Sequence, residues 1–337
     1  MNTKIKDAGI DLFAVAPGVW GLKDVFVNLY IIINAENNSW VLVDAGLKTA
    51  APKIKKAVSL LFGTESRPAG IILTHGHFDH VGSLKALVEE WDVQVYAHEL
   101  ELPYLTGLSK YPPADSSVEG GLMAELAGLY PRGPIDLGFR VQALPVDGTV
   151  PFLPAWTSIN TPGHSPGHIS LYRKEDGVLI AGDALVTTKA ESALYTMLQK
   201  KSISGPPKYF TPDWEAAAAS LKVLDGLHLD VLATGHGRPM EGAGMRKSVH
   251  NLAQHFQQLA VPKQGRYVGH PALMNQTGVT YVPPRTTQPS LPVTKAIAIA
   301  AGFITLALMI KSKPNAPKRH LPKPKKLLAK VKRKASW

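Results

Sequence analysis

The sequence predicts an α/β protein in which two packed β-sheets are flanked by helices. Three observations predict it. Short apolar runs of strand length recur from Asp11 to Ala233. Stretches with apolar residues at helical spacing separate them, the first marked by Ile54, Val58 and Leu61. This alternation of strands and helices occurs in two similar halves. With 337 residues, the chain can hold one large domain or two ordinary ones, and its 45% hydrophobic content is that of a protein able to bury a core.

Asp11–Val15 and Val25–Asn34 read as strands joined by a turn at Pro17-Gly18. Ser39–Asp44 is a third, ending in Val43-Asp44-Ala45-Gly46. Lys48–Leu61 has helical spacing with lysines on its other face, and Gly70–Leu73 is a short buried strand. A helix over Val81–Trp91 and a strand over Val93–Tyr96 complete the first half. Residues 103–138 then break the rhythm with Pro and Gly around one helical piece, Val118–Tyr130. Long irregular loops in compact domains are often functional, so this stretch reads as an insertion over a site.

Strands resume at Phe139–Leu144, Trp156–Asn160, Ile169–Tyr172 and Val178–Ala181. Residues 184–212 form a second insertion. Asp213–Leu224 is a helix with Asp213 or Thr211 as N-cap, Leu229–Ala233 is a last strand, and Glu241–Leu259 is a last helix. The expected division is a main domain at 1–261, a Pro-rich cap or linker at 262–292, an apolar segment at 293–310 and a disordered basic tail at 311–337.

The chain has no cysteine, which excludes disulfides, thiolate metal ligands and a cysteine nucleophile. Any metal site must use His, Asp and Glu. The net charge of +11 is localised: residues 311–337 hold eleven Lys or Arg and no acid, leaving 26 basic residues against 26 acidic ones. An affinity for polyanions is therefore expected of the tail only. No apolar signal-peptide core follows Met1.

The chemistry concentrates at Thr74-His75-Gly76-His77-Phe78-Asp79-His80, directly after the apolar run Gly70–Leu73. His75 and His77 are two apart, so both can point to one side of an extended loop and chelate one ion. Asp79 and His80 come from the next turn and can reach a second. Zn²⁺ suits such ligands. Three more ligand candidates, His164, Asp183 and His236, follow short apolar runs, the last two immediately after Gly. Strand ends on one edge of a sandwich converge. A two-ion site would then take His75, His77 and His164 on one metal, and Asp79, His80 and His236 on the other, with Asp183 bridging. Two such ions share a hydroxide and lower its pKa toward neutrality, with Asp79 placed to orient it and accept its proton. The other histidines read as structural. His168, four residues after His164, is the one that could line the pocket.

This set resembles the metallo-β-lactamase superfamily of hydrolases. The matching residues are His-x-His-x-Asp-His at 75–80, His164 in Thr-Pro-Gly-His, Asp183 in Ala-Gly-Asp and His236 in Thr-Gly-His-Gly, with Asp44-Ala45-Gly46 before the first helix. The resemblance covers roughly residues 10–260. It implies an αββα sandwich and a zinc hydrolase with Asp79 and Asp183 as catalytic residues. Asp183 argues against true β-lactamases, which usually lack the bridging Asp, and points to the glyoxalase II and lactonase side: an ester, lactone or thioester opened by a metal-bridging hydroxide. The related lactonases usually place a Tyr where this chain has Val186, with Tyr195 a substitute from the insertion. Glyoxalase II holds glutathione with a basic helical region, where this chain has Arg246-Lys247. An alternative within the superfamily is a mononuclear iron dioxygenase acting on a persulfide. A further alternative is a catalytically silent, membrane-tethered scaffold.

Ala296–Ile310 holds fifteen uncharged residues between Lys295 and Lys311. With Val293, Thr294 and snorkelling lysines it comes to the lower limit of a transmembrane helix. The expectation is a membrane-associated protein with a cytoplasmic catalytic domain, whose basic tail meets anionic lipid or nucleic acid while the domain takes a small-molecule substrate.

Overall fold

The apolar runs of the first half pair into one sheet, joined by the run at Val141–Ala143. In the computed structural model, which describes residues 4–7, 9–118, 121–192 and 201–285, its strands are β1 (Lys4–Asp7), β2 (Ile10–Ala16), β3 (Val19–Asp24), β4 (Val27–Ile33), β5 (Trp40–Val43), β6 (Gly70–Ile72), β7 (Val95–Ala97) and β8 (Val141–Ala143), hydrogen-bonded in chain order. β1 to β5 pair antiparallel, and β5 to β8 parallel. The second sheet holds β9 (Thr157–Asn160), β10 (Ile169–Arg173), β11 (Val178–Ile180), β12 (Val231–Ala233) and β13 (Met240–Glu241), also side by side in chain order. Only β11 and β12 are parallel there, and a parallel pair needs a crossover.

Period-two alternation sends successive strand residues to opposite faces. Tyr30, Ile32, Val41, Val43 and Ile72 of the first sheet meet Ile169, Leu171, Val178, Ile180 and Ala233 of the second in one buried core. Their neighbours Leu29, Ile31, Leu42 and Ile71 take the other face and are also fully buried. Helices α1 (Ala51–Phe62) and α3 (Leu84–Trp91), with the single turn α2 (Phe78–Val81) before α3, bury Ile54, Val58, Leu61, Leu87 and Val88 in this half. Behind the second sheet, Leu179, Ala181 and Leu232 pack with residues of three later helices. The layers are helix, sheet, sheet, helix. Full burial of each Leu or Ile contributes about 1.5–3 kcal/mol.

Short helices α4 (Leu102–Leu105) and α5 (Leu122–Glu125) stand in the first insertion. α6 (Trp214–Asp225), α7 (Gly242–Gln254) and α8 (Phe256–Leu259) follow the second. Asp213 is the N-cap of α6, accepting from Ala216 N at 2.9 Å. A hairpin, β14 (Leu273–Asn275) and β15 (Gly278–Tyr281), lies across both insertions. Val279 N donates to Ser109 Oγ at 3.1 Å, and Ala272 N to Pro212 O at 3.0 Å. It belongs to the same compact unit, Met1–Pro284, as the sandwich.

Two expectations change. β3 is a strand that the sequence reading passed over. Gly21 breaks its pattern, but the glycine is required, because a Cβ there would stand 2.2 Å from the Phe13 ring. The turn after β3 also carries no Gly or Asn; Val25 adopts φ +55 instead. The second change is the expected membrane association, including the transmembrane helix, and this is a correction. Among the described residues, no helix is long and apolar enough to cross a membrane. The 293–310 segment lies outside the described residues, and its longest uncharged run, the fifteen residues 296–310, falls short of the roughly 17–20 that a span requires.

Candidate metal centre

Five loops that follow strands meet at one edge of the sandwich. Thr74–His80 leaves β6, His164 stands between β9 and β10, Asp183 follows β11, His236 follows β12, and Asp44 follows β5. The seven predicted donors, His75, His77, Asp79, His80, His164, Asp183 and His236, are all buried. They come together in three overlapping groups: His75, His77 and His164; His75, His80 and Asp183; Asp79, His80 and His236. Within each group the ligand atoms lie within 4.8 Å of one another.

Asp183 is central. Its Oδ2 lies 3.1 Å from His236 Nε2, 3.5 Å from His164 Nε2 and 3.7 Å from His80 Nε2. Asp79 Oδ2 is 3.4 Å from His236 Nε2 and 4.0 Å from His80 Nε2. His77 Nδ1 and His164 Nε2 face each other at 2.9 Å. Close approach here depends on glycine. A Cβ on Gly235 would stand 2.1 Å from Asp183 Oδ1, and one on Gly182 would stand 2.6 Å from His168 Nε2.

Neighbouring groups orient the rings. His80 Nδ1 bonds Asp44 Oδ2 at 2.8 Å, and Asp44 also accepts from Thr74 N and Oγ1, both at 2.8 Å. His236 Nδ1 donates to Phe26 O at 3.0 Å. Both Nε2 atoms therefore turn to the cluster, a known way of fixing tautomer and ring angle. Asp44 acts as a brace. His168 braces too: its Nε2 accepts from Asp183 N at 2.9 Å while Nδ1 meets Thr161 Oγ1 at 2.8 Å. It is buried, not a pocket wall.

Burial and charge set the protonation. Burial pushes His77 and His168 down to about 3, and it pushes His75 and His164 well below the ordinary range. For His236 burial acts the same way, but the carboxylates of Asp183 and Asp79 outweigh it and raise the group to about 9. His80 is likewise raised against burial by Asp44, Asp183 and Asp79. Burial lifts Asp79; it opposes Asp183, which His236 and His80 nonetheless hold well below its usual range. The buried atoms His75 Nε2, His80 Nε2, His164 Nδ1 and Asp183 Oδ1 have no hydrogen-bond partner. Unpartnered buried acceptors are rare and costly. A cluster of imidazole and carboxylate lone pairs left this way fits divalent metal ions.

Three features escaped the sequence reading. Glu101 is fully buried and accepts four hydrogen bonds: Gly76 N at 2.9 Å and Tyr111 Oη on Oε2, Ser165 Oγ and Gly167 N at 2.8 Å each on Oε1. It ties the His75–His77 loop to the His164 loop. Asn28 Nδ2 donates to Thr234 O at 3.0 Å and Gly237 O at 2.6 Å, holding the His236 loop. The third is the aromatic wall of the pocket, with Phe26, Phe78, Tyr130, Tyr209 and Phe210 beside Asp79, His164, Asp183 and His236. These residues sit in turns and insertions with no periodicity to mark them.

Two other sequence positions do not join the site. Val186 is buried and bridged to Ser204, while Tyr195 lies outside the described residues. Arg246 Nη1 bonds Leu229 O at 3.1 Å and Asp230 Oδ1 at 2.9 Å. Those residues precede β12, whereas His236 follows it.

A family model, the Metallo-beta-lactamase superfamily, matches residues 22–236. The chain is 48% identical over 242 residues to the probable metallo-hydrolase YflN of Bacillus subtilis (strain 168), covering 72% of this chain and 92% of that one. It is 29% identical over 197 residues to the probable metallo-hydrolase YybB of the same organism, covering 58% and 74%. Among solved structures, the BLEG-1 B3 metallo-beta-lactamase is similar at a TM-score of 0.46 and 23% identity, covering 69% of this chain and 94% of that one.

Proposed function

The chain belongs to the metallo-beta-lactamase superfamily, and we propose that this metal-dependent hydrolase holds two zinc ions and opens an ester, lactone or thioester bond. The observation that carries the reading is Asp183 Oδ2. It lies within 3.7 Å of His80, His164 and His236 nitrogens, and so reaches both donor groups. His75, His77 and His164 would hold one ion and Asp79, His80 and His236 the other, with Asp183 between them. When bound, two ions so held would supply an activated water at neutral pH and polarise a substrate carbonyl. A mononuclear site, as a persulfide dioxygenase would use, leaves the group Asp79, His80 and His236 without a purpose.

The chain's own residues supply the rest. Asp79 faces the pocket and takes the proton of the attacking water. Asp44 and Phe26 O hold His80 and His236 in the tautomers that present Nε2. The rings of Phe26, Phe78 and Phe210 exclude bulk water. Metal content of the reconstituted chain tests the reading, together with a hydrolysis panel of aryl esters, lactones, thioesters and β-lactams. About two zinc ions per chain and turnover of an ester, lactone or thioester are expected. Fewer than one bound ion, or activity that survives loss of both His75 and His236, overturns it.

A further inference from the structure

One donor in the cavity over the metal centre has nothing to donate to. Tyr209 stands in the second insertion, in the single turn Lys208–Phe210 that follows Gly205-Pro206-Pro207. Hydrogen bonds fasten this turn. Asp115 N donates to Tyr209 O at 2.8 Å and Lys208 N to Glu191 Oε1 at 3.0 Å. Phe210 N and Thr211 Oγ1 both donate to Pro207 O, at 3.1 and 2.8 Å. The Tyr209 ring is buried against Tyr130, with centroids 6.1 Å apart, and Phe210, at 5.0 Å. Its place is therefore set before any ligand arrives.

Tyr209 lines the same cavity as Asp79, His164, Asp183 and His236. The free space there is about that of one water, room for one oxygen atom of a reacting group. Among the described residues, the Tyr209 hydroxyl has no hydrogen-bond partner. The other phenol of the wall, Tyr130, already donates to Met123 Sδ at 3.6 Å. A buried tyrosine hydroxyl usually finds a partner, and leaving it without one is costly. A phenol keeps its proton at neutral pH, so this group is a donor. It stands beside Asp79 and Asp183, and its acceptor has to come from outside the chain.

We propose that Tyr209 is a catalytic residue, its hydroxyl donating to the substrate carbonyl oxygen as that oxygen becomes negative; the assignment rests on the hydrolase reading above. The water oxygen bonds to the carbonyl carbon, the π pair of the C=O bond passes to the carbonyl oxygen, and Asp79 takes the proton of the water. The O–H bond of Tyr209 stays intact, and its hydrogen bond strengthens with the charge. The pair then returns, the bond to the leaving oxygen or sulfur breaks, and that atom receives the proton from Asp79. A donor fixed in advance acts mainly on the transition state.

The test is Tyr209→Phe on the metal-loaded chain, with the best substrate of the hydrolysis panel. Its kcat should fall about 100-fold with KM within threefold. Metal content and the Tm of the metal-free chain should not fall, since the hydroxyl bonds nothing in the fold. Tyr104→Phe is the control. That hydroxyl is also buried without a partner, but Tyr104 does not line the cavity, and its kcat should stay within twofold. Methylphosphonate, whose charged oxygens stand in for the oxyanion, should bind the Tyr209→Phe chain at least tenfold more weakly than the unaltered one.

A kcat within threefold of the unaltered chain overturns the proposal. So does a fall in kcat matched by loss of metal, or one shared by Tyr104→Phe. Hydrolysis of nothing in the panel by a chain carrying its metals is instead a failure of the hydrolase reading. The phosphonate then decides: equal affinities for the two chains, or binding to neither, refute the assignment of Tyr209.

Discussion

Replacing Glu101 by Gln tests whether one buried carboxylate sets the spacing of two donor loops. Each oxygen of Glu101 accepts from one hydroxyl and one backbone N–H: Tyr111 and Gly76 on Oε2, Ser165 and Gly167 on Oε1. Glutamine keeps one oxygen and puts an NH₂ in place of the other. The hydroxyl facing that NH₂ can rotate and accept from it, but the backbone N–H cannot. One buried N–H is orphaned in either orientation, which costs about 1–3 kcal/mol. The remaining bonds also lose their ionic partner, and neutral bonds are roughly half as strong. Together these give about 2–4 kcal/mol.

The compact unit spans Met1–Pro284; if it unfolds as one, its unfolding entropy near the midpoint is about 0.6 kcal/mol/K and the expected fall in Tm is about 3–7 °C. Because the orphan is Gly76 or Gly167, a donor loop moves, and metal retention against a chelator should weaken about tenfold or more. Thermal unfolding of the metal-free chain and chelator competition on the loaded one measure the two effects separately. If Glu101→Gln melts within about 1 °C of the unaltered protein and keeps its metal equally well, the carboxyl carries a proton in the folded state and the reasoning fails. Glu101→Ala strands all four donors, a cost comparable with the whole stability of a domain, and should not accumulate.

Four further outcomes are expected. His168→Ala removes the acceptor of Asp183 N and should lower metal affinity about 10- to 100-fold; unchanged chelator competition would show that Asp183 needs no such brace. Metal uptake at pH 7 should release about two protons per chain, because His80 and His236 are raised in the metal-free state, the latter to about 9, and metals bind neutral imidazole; an indicator dye reads this directly. The sign for stability follows: the folded value of His236 exceeds its ordinary 6.5, so its contribution is full below about pH 6.5 and is lost as pH rises through about 9. The metal-free Tm should therefore decline over that window. Finally, Arg246→Ala should leave hydrolysis within about twofold, since its partners Leu229 and Asp230 precede β12 and a surface substitution of this kind is normally mild; a rise in KM confined to glutathione thioesters would put α7 back at the site.

The two sheets were legible because their inner and outer faces are both covered, so the runs at Ile71-Ile72 and Val178–Ile180 are apolar throughout. The seven candidate donors were legible as a set because a metal site needs His and Asp at fixed places after strands, and few other pressures put three imidazoles within six residues. What supports them left no such mark. Glu101 reads as one of two acids in Glu99-Leu100-Glu101, and only the fold shows that Glu99 is exposed to solvent while Glu101 is not. β3 was hidden because a glycine that a strand normally avoids is demanded by the Phe13 ring. The membrane reading failed for another reason. Lys295 and Lys311 bound an uncharged run of fifteen residues, and flanking residues do not lengthen that run to a span.

The division between what the sequence shows and what it hides has a chemical origin. A donor must be a particular element in a particular place, so its residue type is constrained. A brace must only offer an acceptor or donor at the right distance, and many residues or the backbone can do that. Phe26 serves His236 through its carbonyl and lines the cavity beside it with its ring, and neither role predicts the other. The same holds for Gly235. Its role is to have no Cβ where Asp183 Oδ1 and His80 Cε1 would be met at 2.1 and 2.9 Å. The position of Asp183 between the two donor groups is therefore produced jointly by its own side chain, by His168 beneath its amide and by an empty volume at Gly235. Its identity as aspartate could be read in the sequence; its reach to both groups could come only from the packing around it.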